Sequence, residues 1–233
     1  MSYLPWTLVL LGVATTISFI SGTTLGTLVA WRRGSWMDWL MPGATFFQAI
    51  PYFFLALVLV LIFGQTGTML HWVPSLFGYD IYTVTPGFNG PYLASVVAHA
   101  ILPVATVVLA SIAGFILSMR NQMLTTMDED FVLMAAAKGL HNRTVVWYAA
   151  RNALLPVISN FTIAISLVVA GQILVEIVFN YPGIGYHLYD ALGKLDYSLV
   201  QGIFVVITLV VLAANLMADV VYVLIDPRAR QLA

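Results

Sequence analysis

The sequence predicts an all-α, polytopic membrane protein of about five transmembrane helices, with a cytoplasmic helix-turn-helix loop between the third and the fourth. Three observations carry that prediction. Of 233 residues, 61% are hydrophobic and 8% charged, and the mean hydropathy is +0.95, far from the composition of a soluble globular domain. Apolar stretches over 6–30, 40–63, 93–119, 154–179 and 199–225 each reach the roughly 20 residues that a helix needs to cross a bilayer. Residues 128–156, between the third and the fourth, form the only long segment that carries several charges, so they belong in water.

Composition also excludes several classes. A formal net charge of -1 lacks the basic footprint of a nucleic-acid binder. With no cysteine there is no disulfide, thiolate metal site or cysteine nucleophile. Basic residues set the orientation. Arg32 and Arg33 fall in the first connection, Arg120, Lys138, Arg143 and Arg151 in the third, and Arg228 and Arg230 at the end, whereas only Lys194 lies on the other side. The positive-inside rule then puts the N-terminus outside and the C-terminus in the cytoplasm. All six tryptophans fall at or beyond span ends, where an amphipathic indole prefers the headgroup region.

In the first span, Thr15, Thr16, Ser18, Ser21, Gly22, Thr23, Thr24 and Gly26 are small or hydroxylated. Such residues let helices approach closely in lipid, so packing is preferred over a substrate path. Pro42, Gly43, Gln48 and Pro51 interrupt the second span and place an amide in it; a kink and a substrate contact both stay open. Residues 64–92 form an outer loop longer than an ordinary connection. In the third span His99 has no carboxylate or second histidine near it in sequence, which favours a hydrogen-bonded structural role over a proton relay.

The charged loop reads as a helix, a glycine turn and a second helix. Thr125 or Thr126 can cap the first helix, and Asp128, Glu129 and Asp130 suit its positive end. Lys138-Gly139-Leu140 is the pattern of a left-handed C-cap whose following residue folds back on the last turn. Asn142 can cap the second helix, which carries Arg143, Trp147 and Arg151 towards Pro156. The fourth span holds Asn160, Thr162, Ser166, Gln172 and, near its outer end, Glu176, for which an interfacial structural role is preferred over substrate binding. Tyr181 to Gly185 makes a turn, and 186–195 a short re-entrant or surface helix. Asn215 and Asp219 share a face of the last span and are expected to point into the bundle.

These motifs resemble a family. AAAKGL at 135–140, RNALLPVI at 151–158, VEIVFNYPGIG at 175–185, DYSLVQGI at 196–203 and DPRAR at 226–230 are similar to permease subunits of binding-protein-dependent ABC importers, specifically the dipeptide/oligopeptide permease family. His71-Trp72-Val73-Pro74 resembles that family's Trp-Leu-Pro element, and His99 with Pro103 its His-x-x-x-Pro. The general importer signature of Glu-Ala-Ala is replaced by Leu133, Met134 and Ala135, and Leu133 and Ala136 stand where this branch often has basic residues. The resemblance implies the type I permease fold of ABC importers and a bacterial or archaeal cytoplasmic (inner) membrane. It also implies a second homologous permease, two cytoplasmic ATPase subunits that bind ATP and Mg, and an extracytoplasmic solute-binding protein. Family members usually carry another span before the part matching Tyr3, so this chain is expected to lack the family's first helix, naturally or through a truncated start.

On that resemblance, residues 1–233 form a single permease domain, and the loop at 120–153 couples it to the ATPases through Ala135, Ala137, Lys138, Gly139, Leu140, His141 and Arg143. Gln48, Asn160 and Gln172 are the polar candidates for the substrate pathway. The sequence has no Gly-x-x-x-x-Gly-Lys-Ser/Thr loop, so no ATP site and no cofactor are expected in this chain. His-Glu-x-x-His, Gly-x-Ser-x-Gly and Gly-x-Gly-Asp are missing too, which removes the usual grounds for an intramembrane hydrolase. A secondary transporter or channel would call for inverted repeats or a charge relay at the midplane, and the sequence displays neither. The substrate, whether dipeptide, oligopeptide, nickel complex or sugar, is not encoded in these residues.

Overall fold

The structure, a computed structural model, describes residues 3–171 and 173–225. Among them the secondary structure is helical, apart from an isolated bridge between Gly64 and Val73. Helix α1 (Leu4–Trp31) presents a buried stripe of Leu11, Thr15, Ser18, Gly22, Gly26 and Val29. That spacing follows the helical period. The stripe lies on α4 (Gly90–Met127), and its small residues set the distance: a Cβ on Gly22 would sit 2.6 Å from Phe115 Cβ, and one on Gly26 2.6 Å from the Ile116 carbonyl oxygen. Ser111 Oγ donates to Ser18 Oγ across the same seam at 2.8 Å. Thr15, Ser18, Gly22, Thr23 and Gly26 therefore serve packing, whereas Thr16 and Thr24 are exposed and bond back to their own helix.

The second apolar stretch is two helices, α2 (Leu40–Ala49) and α3 (Tyr52–Phe63), bent by 102°. Pro51 makes the break. It lacks an N–H and forces the residue before it out of the helical region, and Ile50 is extended at φ -80 and ψ 126. Pro42 and Gly43 do not interrupt α2, because Pro42 stands in the first turn, where no intrahelical N–H is required.

Helix α4 continues beyond the predicted third span into the charged loop, with Pro103 inside it. His99 Nδ1–H donates to the Ser95 carbonyl at 2.8 Å, the structural role expected of it. The loop's two helices are α5 (Asp130–Ala137) and α6 (Asn142–Gly171). Beyond them come α7 (Ile173–Val178), α8 (Ile184–Gly193) and α9 (Tyr197–Ile225). Among the described residues α1, α4 and the first 21 residues of α9 are long and apolar enough to cross a membrane, and the bent α2–α3 pair adds a fourth candidate. The remaining stretch, 154–179, is divided between α6 and α7.

Three apolar cores hold the helices together, one of them formed by Ile184, Leu188 and Ala191 of α8 with Val200 and Ile203 of α9. The outer one joins Leu11 and Ala14 of α1, Leu55 and Leu59 of α3 and Val107 of α4 to Val175, Phe179 and Tyr181. The inner one joins Phe115, Met119 and Met123 of α4 to Val132 and Ala135 of α5 and to Val145, Ala149 and Val157 of α6. The inner core fixes where the charged loop sits. Helix α9 departs from expectation: Asn215 is exposed rather than turned into the bundle, on a face shared with Leu212 and Leu216. The side chain of Asp219 and residues 226–233, including Arg228 and Arg230, lie outside the described set.

Candidate functional site

The loop's turn is built from backbone alone. Lys138 is the last near-helical residue at φ -73, and Gly139 then takes φ +75. Leu140 N–H donates to the Ala135 carbonyl at 3.3 Å, and Gly139 N–H to the Ala136 carbonyl at 2.9 Å. That pair of bonds is the Schellman arrangement, which satisfies carbonyls that a helix end leaves free. His141 supplies the carbonyl that receives Thr144 N–H at 2.8 Å and Val145 N–H at 3.2 Å, so it heads α6, and Asn142 is already helical. Thr125 and Thr126 do not cap α5 either. Both are still in α4, bonded back to the Asn121 and Gln122 carbonyls, and extended Glu129 precedes α5 instead.

The predicted site residues divide by face. Ala135 is buried against α4 and α6, so it anchors α5, whereas Ala137, Lys138, Gly139, Leu140, His141 and Arg143 are exposed. Val132, one turn before Ala135, is buried beside it. The outward face of α5 is apolar all the same: Phe131, Leu133 and Met134 are 40%, 56% and 58% exposed, and Leu140 and Trp147 add to the same loop. Motif matching passed over Phe131 and Met134. The signal was available for Met134, because an α5 anchored through Val132 and Ala135 must turn positions 133 and 134 away from the core, whereas position 131, four before Ala135, falls at the edge of the buried face. Among the described residues no charge of the loop is in an ion pair within the chain.

Two of the three polar candidates come together on α4. Asn160 Nδ2 donates to Ser118 Oγ at 3.2 Å, and Gln48 Nε2 stands 3.6 Å from where a Cβ on Gly114 would be. Positions 114 and 118 are a helical turn apart, so α2 and α6 deliver these exposed amides to neighbouring points of one α4 face. Gln172 lies outside the described residues.

At the end predicted to lie outside, Glu176 is 1% exposed. Its carboxylate accepts from the Thr7 hydroxyl at 2.6 Å, from Gly185 N–H at 2.7 Å and from Tyr186 N–H at 3.2 Å. This is the structural role preferred for it, and the Thr7 partnership had no sequence signal because 169 positions separate the two. Beside it Tyr181 is buried, which together with the nearby carboxylate pushes its phenol above the usual range. The outer loop docks here through Phe77 N–H, which donates to the Phe179 carbonyl at 2.9 Å. Farther along that loop, the Thr83 hydroxyl and Tyr82 N–H hold the Asp80 carboxyl below the usual carboxylate range.

Residues 22–231 match the family described as the binding-protein-dependent transport system inner membrane component. The chain belongs to that family. It is 32% identical over 230 residues to the oligopeptide transport system permease protein AppB of Bacillus subtilis, covering 98% of this chain and 70% of the relative. It is 37% identical over 228 residues to the di/tripeptide transport system permease protein DppB of Pseudomonas aeruginosa, covering 90% and 66%. The dipeptide permease protein DppB of Escherichia coli K12 is 32% identical over 224 residues, again with 90% and 66% covered. This inner membrane component thus spans about two thirds of the length of these relatives. A chain of the inward-facing MetNI methionine ABC transporter superposes with a TM-score of 0.73 over 97% of this chain and 95% of its own, at 14% identity. That match shows the fold, helical throughout the described elements and shared with a chain of an ABC transporter, as the resemblance implied.

Proposed function

We propose that this inner membrane component is the membrane-spanning subunit of an ABC importer for peptides or similar small solutes. The names of its relatives support the solute class. In this reading it pairs with a second permease, two cytoplasmic ATPase subunits that bind ATP and Mg, and an extracytoplasmic solute-binding protein. The loop at 120–153 lies in the cytoplasm, the N-terminal end of α1 outside and the C-terminus inside, which the basic residues at 32, 33, 120, 138, 143 and 151 support.

One observation carries the reading: an exposed apolar patch sits on a charged loop. Phe131, Leu133, Met134 and Leu140 are exposed around a turn that Gly139 and the buried Ala135 hold fixed. Exposed apolar surface rimmed by charge marks a protein contact. Leu140 would enter the ATPase surface, Lys138, His141 and Arg143 would offer polar contacts at its edge, and Ala137 would allow close approach. Closure of the ATPase pair around ATP would then move the spans as bodies between inward and outward openings. Gln48 and Asn160, brought to one face of α4, would line the path, with Gln172 the third candidate.

Gly139→Asp tests the docking. Aspartate enters the left-handed region more readily than most residues, so the turn survives while a carboxylate stands beside Leu140. The complex, expressed with its chromosomal neighbours and purified in detergent, should retain the ATPase with native Gly139 and lose it with the variant. Equal recovery would move the docking site elsewhere. Recovery of other partners with no ATPase in either preparation would overturn the importer reading.

A further inference from the structure

Thr7, Glu176 and the start of α8 form a buried polar junction that the coupling loop does not touch. Gly183 precedes α8 and gives it no side-chain cap. The first N–H groups of a helix have no intrahelical acceptor. Here other elements supply the acceptors: Thr7 Oγ1 receives Ile184 N–H at 2.9 Å, and Glu176 receives Gly185 and Tyr186 N–H. The Thr7 hydroxyl meanwhile donates to Glu176, closing a circuit among α1, α7 and α8. Among the described residues no cation pairs with the carboxylate, so its hydrogen bonds alone justify its burial. The circuit leaves no slack, because a Cβ on Gly183 would land on the Glu176 carboxyl group.

We infer that Glu176 is a positioning residue for transport: with Thr7 it fastens the outer end of α1 and the start of α8 to the end of the α6–α7 path, so that these parts move as one body. This deepens the proposed function and rests on it. Helix α6 begins at the coupling turn, runs for 30 residues, about 45 Å, and α7 follows after one residue. Glu176 therefore sits where a displacement starting at the turn arrives. Apolar surfaces in contact can slide over one another. Charge-assisted hydrogen bonds are short and directional, and they carry rotation as well as thrust. Without the circuit, the ATPases would still turn over while the outer side failed to follow.

The test uses the complete complex in phospholipid vesicles with its solute-binding protein, measuring ATP hydrolysis together with uptake of a labelled mixture of di- to pentapeptides. Thr7→Val keeps the side-chain volume and removes the hydroxyl, Glu176→Gln keeps shape and one acceptor, and Thr7→Ser is the rescue. We expect Thr7→Val and Glu176→Gln to lower uptake per ATP hydrolysed on the order of tenfold, as loss of a charged hydrogen bond predicts. Hydrolysis and subunit recovery should stay within about twofold of native, and Thr7→Ser should restore the ratio. An unchanged ratio in Thr7→Val overturns the inference. So does a proportional fall of hydrolysis and uptake, or loss of the variant from the membrane, since either makes the junction a folding element only. Native complex that neither hydrolyses ATP nor takes up the mixture overturns the importer reading itself, and this inference with it.

Discussion

Gly22 and Gly26 determine how near α1 comes to α4, and no side chain fits there without displacing Phe115 or the α4 backbone. Gly26→Val should therefore destabilise the protein by about 1–3 kcal/mol through overpacking. A Cβ on Gly12 meets nothing within 4 Å, so Gly12→Ala is the control. Thermal unfolding in detergent should give a lower midpoint for Gly26→Val and an unchanged or slightly higher one for Gly12→Ala; equal midpoints would refute the close-approach argument. Two other residues show what a sequence can reveal at this scale. The turn at Lys138-Gly139-Leu140 was legible because every bond in it spans at most five positions. The Glu176 junction was legible only by half. A carboxylate near a span end needs partners, but that Thr7 provides one depends on how α1 meets α7.

Helix α5 is anchored on one face and bare on the other. Val132 and Ala135 enter the inner core, while Leu133 and Met134 remain exposed. Substitutions on the two faces should have separable effects. Met134→Glu should change stability by no more than about 0.5 kcal/mol, as exposed substitutions do, while ATPase co-purification falls sharply. Val132→Asp would bury an unpaired charge and should instead cost several kcal/mol, seen as loss of folded protein before any docking is measured. If Met134→Glu retained the ATPase fully, the outward face of α5 would not be the contact. The sequence disclosed these elements better than their ends. Pro51 announced the break between α2 and α3, because a missing N–H acts locally. Thr125 and Thr126 looked like caps, yet α4 runs through them, since Met119 and Met123 hold its last turns in the inner core.

For the whole molecule, the apolar runs revealed a membrane chain, because they depend on composition rather than contact, and the distribution of arginine and lysine predicts its orientation. The arrangement of the helices was not legible. That Gln48 and Asn160 approach one face of α4 follows only from how α2 and α6 pack on it. This arrangement also distinguishes the energy sources. A transporter driven by a proton gradient needs an ionisable group exposed to the pathway. The two polar groups brought to α4 are neutral amides, and Glu176 is sealed at the outer end by Thr7 and the start of α8. Neither offers a group that exchanges a proton as the gates alternate. Among the described residues, the loop at the other end presents an exposed apolar face instead, the one proposed above to meet the ATPase. Uptake of labelled peptides by cells expressing the complete system should therefore stop when ATP is depleted with the ion gradients held by an external supply. It should persist when an uncoupler collapses the gradients while ATP is maintained. The reverse pattern would mean that the loop does not deliver the driving force, and that the amides on α4 belong to a pathway energised by ions.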